Sequence, residues 1–223
     1  MKGWTVIVLA CALATHLAGC VFSGARVQRY YVLEASSTSP AAAKATCACT
    51  LIVAPTTASS FYETQEIAYS RAPGTRAYYQ FNNWTERPSR KIGALLLSRL
   101  ERSGSFRTVA AATSGVRGAL LLSTHVEEIY HDATERPGRA RITLTVALTD
   151  PARGTLVARR TFSRWAPAAS YDAAGAVQGF NEAVATILDD VVAWVNAAAL
   201  IDTGEPASTS RSTSTHLFGG RSS

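Results

Sequence analysis

Cys20 is the residue in this chain whose chemistry is easiest to name. It closes the run Leu17-Ala18-Gly19-Cys20, small side chains leading to a thiol, which has the form of the bacterial lipobox. A thiol is needed there because the first acyl carrier is joined as a thioether, and small neighbours are needed to fit the signal-peptidase site. The preceding residues agree. Met1-Lys2 is a short positive segment and Val6 to Ala14 an apolar run of signal length, well short of the roughly 20 apolar residues of a permanent span. Cleavage before Cys20 makes the lipidated cysteine the first residue. Each buried lipid methylene adds roughly 0.8 kcal/mol, so several acyl chains, palmitate among them, anchor stably where one would not. Val21 stands where an aspartate would favour the inner membrane, so the expectation is an outer-membrane lipoprotein facing the periplasm. The alternative, a secretory signal with a chance cysteine at its end, leaves an odd free thiol in an exported protein.

Three other groups have residue types that invite chemistry. Cys47 and Cys49 are separated by one residue, which is little for an easy disulfide, and no second Cys or His pair stands at metal-ligand spacing. They read as small strand-edge residues, with a strained or intermolecular disulfide as the alternative. His125, Glu127 and His131 share a strand face by period two, but six residues of strand separate the histidines by roughly 20 Å, too far for one ion; the expectation is a wet face and no metal. Arg159, Arg160 and Arg164 lie beside Trp165. They are a candidate surface for lipid phosphates or an acidic partner, or a strand edge guarded by charge. Trp84 is either core or, if exposed, part of a partner surface. No Gly-x-Ser-x-Gly elbow or G-x-x-x-x-G-K-[ST] phosphate loop occurs. The reading is therefore not an enzyme, with no cofactor.

Composition sets the frame that must position these groups. Of 223 residues, 47% are hydrophobic and 17% charged, enough for one real core. Loss of residues 1–19 removes Lys2 and leaves 21 basic against 16 acidic side chains, a formal +5 carried mostly by arginine. For an exported protein this argues against nucleic acid and for anionic head groups or an acidic protein face.

The expected organisation is a signal peptide (1–19), a lipidated tether (20–28), one domain (29–199) and a disordered Ser/Thr-rich tail (200–223). Tyr30 to Leu33 and Leu51 to Val53 read as short strands, with a Ser/Thr/Ala loop from Ala35 to Ala48 between them. Ile67 to Ser70 and Arg76 to Phe81 form a hairpin about Pro73-Gly74. Ile92, Leu95, Leu96 and Leu100 predict an amphipathic helix capped by Ser89 and Gly104, with Arg90, Lys91, Arg99 and Arg102 outside. Ala119 to Tyr130, Arg139 to Asp150 and Thr155 to Trp165 predict three consecutive long strands. Val177, Phe180, Val184, Ile187, Leu188, Val191, Trp194 and Val195 predict a final helix, capped by Asp172. The fold class is α+β: a largely antiparallel sheet with two amphipathic helices packed on one face.

The segment IAYSRAPGTRAYYQFNNWTERPSRKIGALLLSRLERSGSFRTV, from Ile67 to Val109, resembles the ABC-type transport auxiliary lipoproteins, which include the PqiC-type lipoproteins. The features that carry the resemblance are Ile67-x-Tyr69-x-Arg71, the Tyr78-Tyr79 strand, Trp84, Pro88 and the helix ending in Ser103-Gly104-x-Phe106. The early Tyr31-x-Leu33, the Leu148-x-Asp150 turn and the last helix fit too, so residues 29–197 are covered. The resemblance implies an accessory lipoprotein whose partners are an MCE-domain protein and an ABC permease and ATPase, in a system moving phospholipid or other hydrophobic molecules. It leaves a homo-oligomer open, and it leaves unassigned the tail and the Cys47-Ala48-Cys49 insert. A structural or assembly lipoprotein of an envelope complex is the rival reading.

Overall fold

A computed structural model describes residues 27–36 and 47–202. The expected signal peptide, lipobox and Cys20, most of the expected tether and Ser/Thr/Ala loop, and the expected tail from residue 203 on lie outside the described residues.

The longest strands form the expected meander. Strand β7 (Leu120–Asp132) pairs antiparallel with β8 (Arg139–Asp150), and β8 with β9 (Thr155–Pro167). Ile142, Leu144, Val146 and Leu148 are all buried, as period-two alternation requires when one face meets a core. Thr145 on the other face is also nearly buried, its hydroxyl 3.0 Å from that of Thr161 and its register partners His125 and Thr161 on either side.

The other edge of β7 is filled differently. β2 (Cys47–Val53), β3 (Thr57–Ala58) and β4 (Glu66–Ser70) lie along it in sequence, each parallel to β7. Residues 51–70 thus run beside β7 as one interrupted strand, broken at Pro55 and at the 3-10 turn Ser60–Tyr62. Beyond β2 comes β6 (Phe106–Ala111), parallel; beyond β4 comes β5 (Ala77–Trp84), antiparallel, and then β1 (Arg29–Tyr31), parallel to β5. Among the described residues, five of the eight strand pairings are parallel. The expectation of a largely antiparallel sheet is therefore corrected to a mixed, mostly parallel one. Alternation reports that a strand has one wet face but not the direction of its neighbour, which is set by crossover connections. β6 and β3 carry no strong local pattern and are legible only through their partners.

Helix α1 (Pro88–Ser103) lies in the crossover between β5 and β6. Pro88 sits at its first position, where its missing N–H costs nothing. Arg87, not Ser89, occupies the cap position, and the Ser89 hydroxyl donates instead to Glu63 at 3.2 Å. Gly104 closes the helix at φ 63°, the left-handed conformation a C-terminal glycine supplies. Helix α2 (Ala173–Asp202) starts where expected, with the Gly175 N–H donating to Asp172 Oδ1 at 2.8 Å. It runs past residue 199, so the expected domain boundary falls inside the helix.

Phe180, Val184, Ile187, Leu188, Val191 and Val195 of α2 join Ile92, Leu96 and Leu100 of α1 and the inward residues of the strands in one core. From Ala173 to Leu200, α2 is long and apolar enough to meet the length criterion for a membrane span. Its apolar stripe is already buried among the strands, which accounts for its composition as a core helix.

Candidate functional site

The histidine strand does not keep its predicted alternation. Between Val126, opposite Leu144, and Glu128, opposite Thr143, Glu127 is an extra residue, a β-bulge. The bulge reverses the facing of everything after it. His125 stays on the outer side, with Nδ1 2.8 Å from the Thr57 hydroxyl and Nε2 3.8 Å from Glu127. His131 is turned inward and is 0% exposed, so the expected shared wet face is wrong. Arg76 steadies the bulge, donating to Glu128 at 2.9 Å and to the Tyr62 hydroxyl at 2.9 Å, with its guanidinium 3.6 Å from the Tyr130 ring centre. Among the described residues no group of three His, Cys, Asp or Glu side chains could hold a metal ion.

The buried His131 organises the turn between β7 and β8. Its Nε2 lies 3.0 Å from the Pro137 carbonyl, which only accepts, so Nε2 carries the proton; Nδ1 then accepts from the Tyr79 hydroxyl at 2.7 Å. The Tyr171 hydroxyl donates to the Ala133 carbonyl at 2.7 Å, and the Ala168 N–H to the Gly138 carbonyl at 3.0 Å. Gly138, at φ 89°, has no room for a Cβ against the His131 ring. The turn is thus held from below and from both sides.

Burial pushes the His131 imidazole below its ordinary value of 6.5, opposed by the Pro137 hydrogen bond and by Asp132 and Asp172, with Arg71 adding to the fall. Burial likewise pushes the Tyr79 phenol up to about 12. The sign of the linkage follows. Below the unfolded value, the unfolded chain takes up a proton that the folded ring refuses. Stability is therefore expected to fall as pH drops from about 7 toward 5, with a slope approaching about 1.4 kcal/mol per pH unit, and to level off below the folded value. Urea unfolding across this range checks it. His131→Gln should remove that contribution, and an unchanged pH slope in this variant would show that the acid sensitivity arises elsewhere.

Arg99 is the largest departure from the sequence reading. Assigned there to the outer face of α1, it is buried. Its Nη1 donates to the Ala185 carbonyl at 2.6 Å and to Asp189 Oδ1 at 3.0 Å, and its Nη2 to the Ala35 carbonyl at 2.9 Å. One guanidinium therefore ties α1, α2 and the chain after β1. Burial lowers its pKa, with Asp189 acting in the opposite direction. A signal was present in the sequence: position 99 is three residues after Leu96 and seven after Ile92, on the apolar stripe itself.

The proposed partner residues are dispersed. Trp84 is 2% exposed and meets Phe180 edge-on at 5.5 Å, so it belongs to the core and to no surface. Arg159 faces the opposite side of β9 from Arg160 and Arg164, because successive side chains alternate. Arg164 pairs with Asp190 of α2 at 2.7 Å, and Arg160 lies 5.0 Å from the Phe162 ring centre. Cys47 and Cys49 are joined to each other by a disulfide at the start of β2, so a disulfide, the alternative to the small strand-edge reading, is what the structure holds. The strand bulges between Cys47 and Thr50, which brings the two side chains together.

A cleft of about 750 Å³ lies beside the first half of α1. Small and apolar residues such as Val53, Pro55, Gly93, Leu97 and Ala111 line it, with Glu63 and Arg87 at its rim joined by a 3.5 Å ion pair.

These polar groups join one element to another, which marks the chain as a mixed α+β domain whose buried charges serve the frame. The chain belongs to the ABC-type transport auxiliary lipoprotein component family, which it matches over residues 31–192. Among curated proteins none matches it. Its fold is similar to that of protein XCC0632 from Xanthomonas campestris, with a TM-score of 0.71 at 22% identity, covering 78% of this chain and 99% of that one. The hypothetical protein CT253 from Chlamydia trachomatis is more distant, with a TM-score of 0.50 at 10% identity, covering 71% and 99%. At these identities the likeness is one of fold.

Proposed function

We propose that this protein is a lipid-anchored, non-enzymatic subunit of an ABC-type system containing an MCE-domain protein. It sits on the outer membrane through acylated Cys20 and assists the passage of phospholipid or another hydrophobic compound across the periplasm. Family membership over nearly the whole folded body carries this reading, and the lipobox supplies the anchor. Arg159 and Arg160, both exposed on β9, offer a basic edge to an acidic partner face, where charge would act mainly on the association rate.

The test is affinity capture of the acylated protein from detergent-extracted membranes. Permease, ATPase and MCE-domain chains are expected in the eluate. Cys20→Ser, which removes the acylated sulfur, should leave the washed-membrane fraction and recover less of them. Capture of the parent protein without any MCE or ABC component would overturn the transport reading in favour of an assembly role.

A further inference from the structure

At the end of the sheet formed by the β7–β8 turn, arginines sit on aromatic rings and not on acids. The Arg139 guanidinium lies 4.5 Å from the centre of the Trp165 ring, Arg136 4.6 Å from Tyr171, and Arg71 5.0 Å from Tyr69. All three arginines are exposed, and among the described residues none has an acidic partner within ion-pair distance. Trp165 is 54% exposed. A hollow of about 420 Å³ lies among Arg136, Arg139, Arg141 and Trp165, with Asp132 and Glu135 also on its wall. The acids of this end are otherwise occupied or outnumbered: Asp132 holds Arg141 at 2.8 Å, Asp172 caps α2, and Glu135 stands alone on the turn. At the opposite turn of the meander, by contrast, Arg153 faces Asp150 at 3.5 Å.

The direction of the chain gives this end its meaning. β1 is parallel to β5, β5 antiparallel to β4, and β4 parallel to β7. β1 therefore runs opposite to β7, and its N-terminal end points toward the β7–β8 turn. Cys20 precedes Val27 by seven residues, a reach of at most about 25 Å. A short anchor leaving this end holds it toward the bilayer.

We propose that the β7–β8 turn end, with Arg71, Arg136, Arg139 and Trp165, is a docking surface for the anionic phospholipid bilayer that holds the acyl chains of Cys20. The assignment rests on the lipobox and not on the transport role. A guanidinium stacked on a ring keeps its edge N–H groups available for phosphate oxygens. An indole beside it suits the head-group layer, and the hydrogen bonds about His131 hold the turn in place. Each arginine near an anionic surface is worth about a fivefold change in surface affinity.

The experiment uses the acylated full-length mature protein, its acylation checked by mass spectrometry. It is reconstituted into phosphatidylethanolamine vesicles with or without phosphatidylglycerol, and brominated lipid serves as the quencher. The Trp165 signal is the difference between the parent and Trp165→Phe, since Trp84 and Trp194 also fluoresce. Quenching of Trp165 is expected in phosphatidylglycerol vesicles. It should fall severalfold with added salt, and in the triple variant Arg71→Gln, Arg136→Gln, Arg139→Gln, whose fold is checked by circular dichroism. No quenching, or quenching equally strong in the triple variant, would overturn the proposal. So would shielding of Trp165 that rises with protein concentration in detergent, which would assign this end to a second copy of the chain. None of these readings requires the transport partners, so failure of that role leaves this test intact.

Discussion

Replacing Arg99 by alanine is expected to lower the unfolding free energy by about 3–5 kcal/mol, the cost of removing one partner from a buried charged pair. Its side chain is 3% exposed, and its loss removes the donor to the Ala35 carbonyl, a second donor to the Ala185 carbonyl and the ion pair to Asp189. Those groups belong to two stretches of chain outside α1, so the damage should not stay within α1. Arg99→Lys keeps the charge but cannot reproduce a fork that reaches carbonyls in two directions, and should fall between the parent and alanine. Equilibrium urea unfolding of the three proteins checks the order. A change below about 1 kcal/mol for Arg99→Ala would mean that water replaces these bonds and that the guanidinium is not the tie between the helices.

Ile187→Asp should be more damaging still. Ile187 is 0% exposed at the middle of the α2 stripe, so the substitution removes apolar burial and places a carboxylate in the apolar core. The expected loss is on the order of 5 kcal/mol, comparable with the lower end of a domain's whole stability. Ala193→Asp, on the exposed side of the same helix, is the matched control and should cost only about 1 kcal/mol, from helix propensity and the nearby Asp189 and Asp190. Thr145 on β8 is a poor control, since its hydroxyl is nearly buried beside Thr161. Thermal melts and soluble yield of the two α2 variants are the measurements. Similar melting of both would mean that the stripe does not face the core.

The sequence determined on its own what depends on near neighbours along the chain. The stripe from Val177 to Val195, the alternation from Ile142 to Leu148, Gly104 closing α1 and Asp172 opening α2 follow from periods of 3.6 and 2 and from capping chemistry. The lipobox is likewise a local pattern. What only the tertiary structure decided depends on residues far apart in sequence. The direction of β2, β3 and β4 against β7 is set by crossovers that no local pattern encodes. The bulge at Glu127 adds one residue to the count, and a period of two turns that single residue into a reversal of facing, which buries His131. Trp84 is placed in the core by Phe180, nearly one hundred residues further along the chain, which meets its ring edge-on. Arg99 is the clearest instance. Its spacing already placed it on the apolar stripe, but a charged residue is admitted to a core only when partners are waiting there. Those partners, at residues 35, 185 and 189, are brought to it by the fold alone.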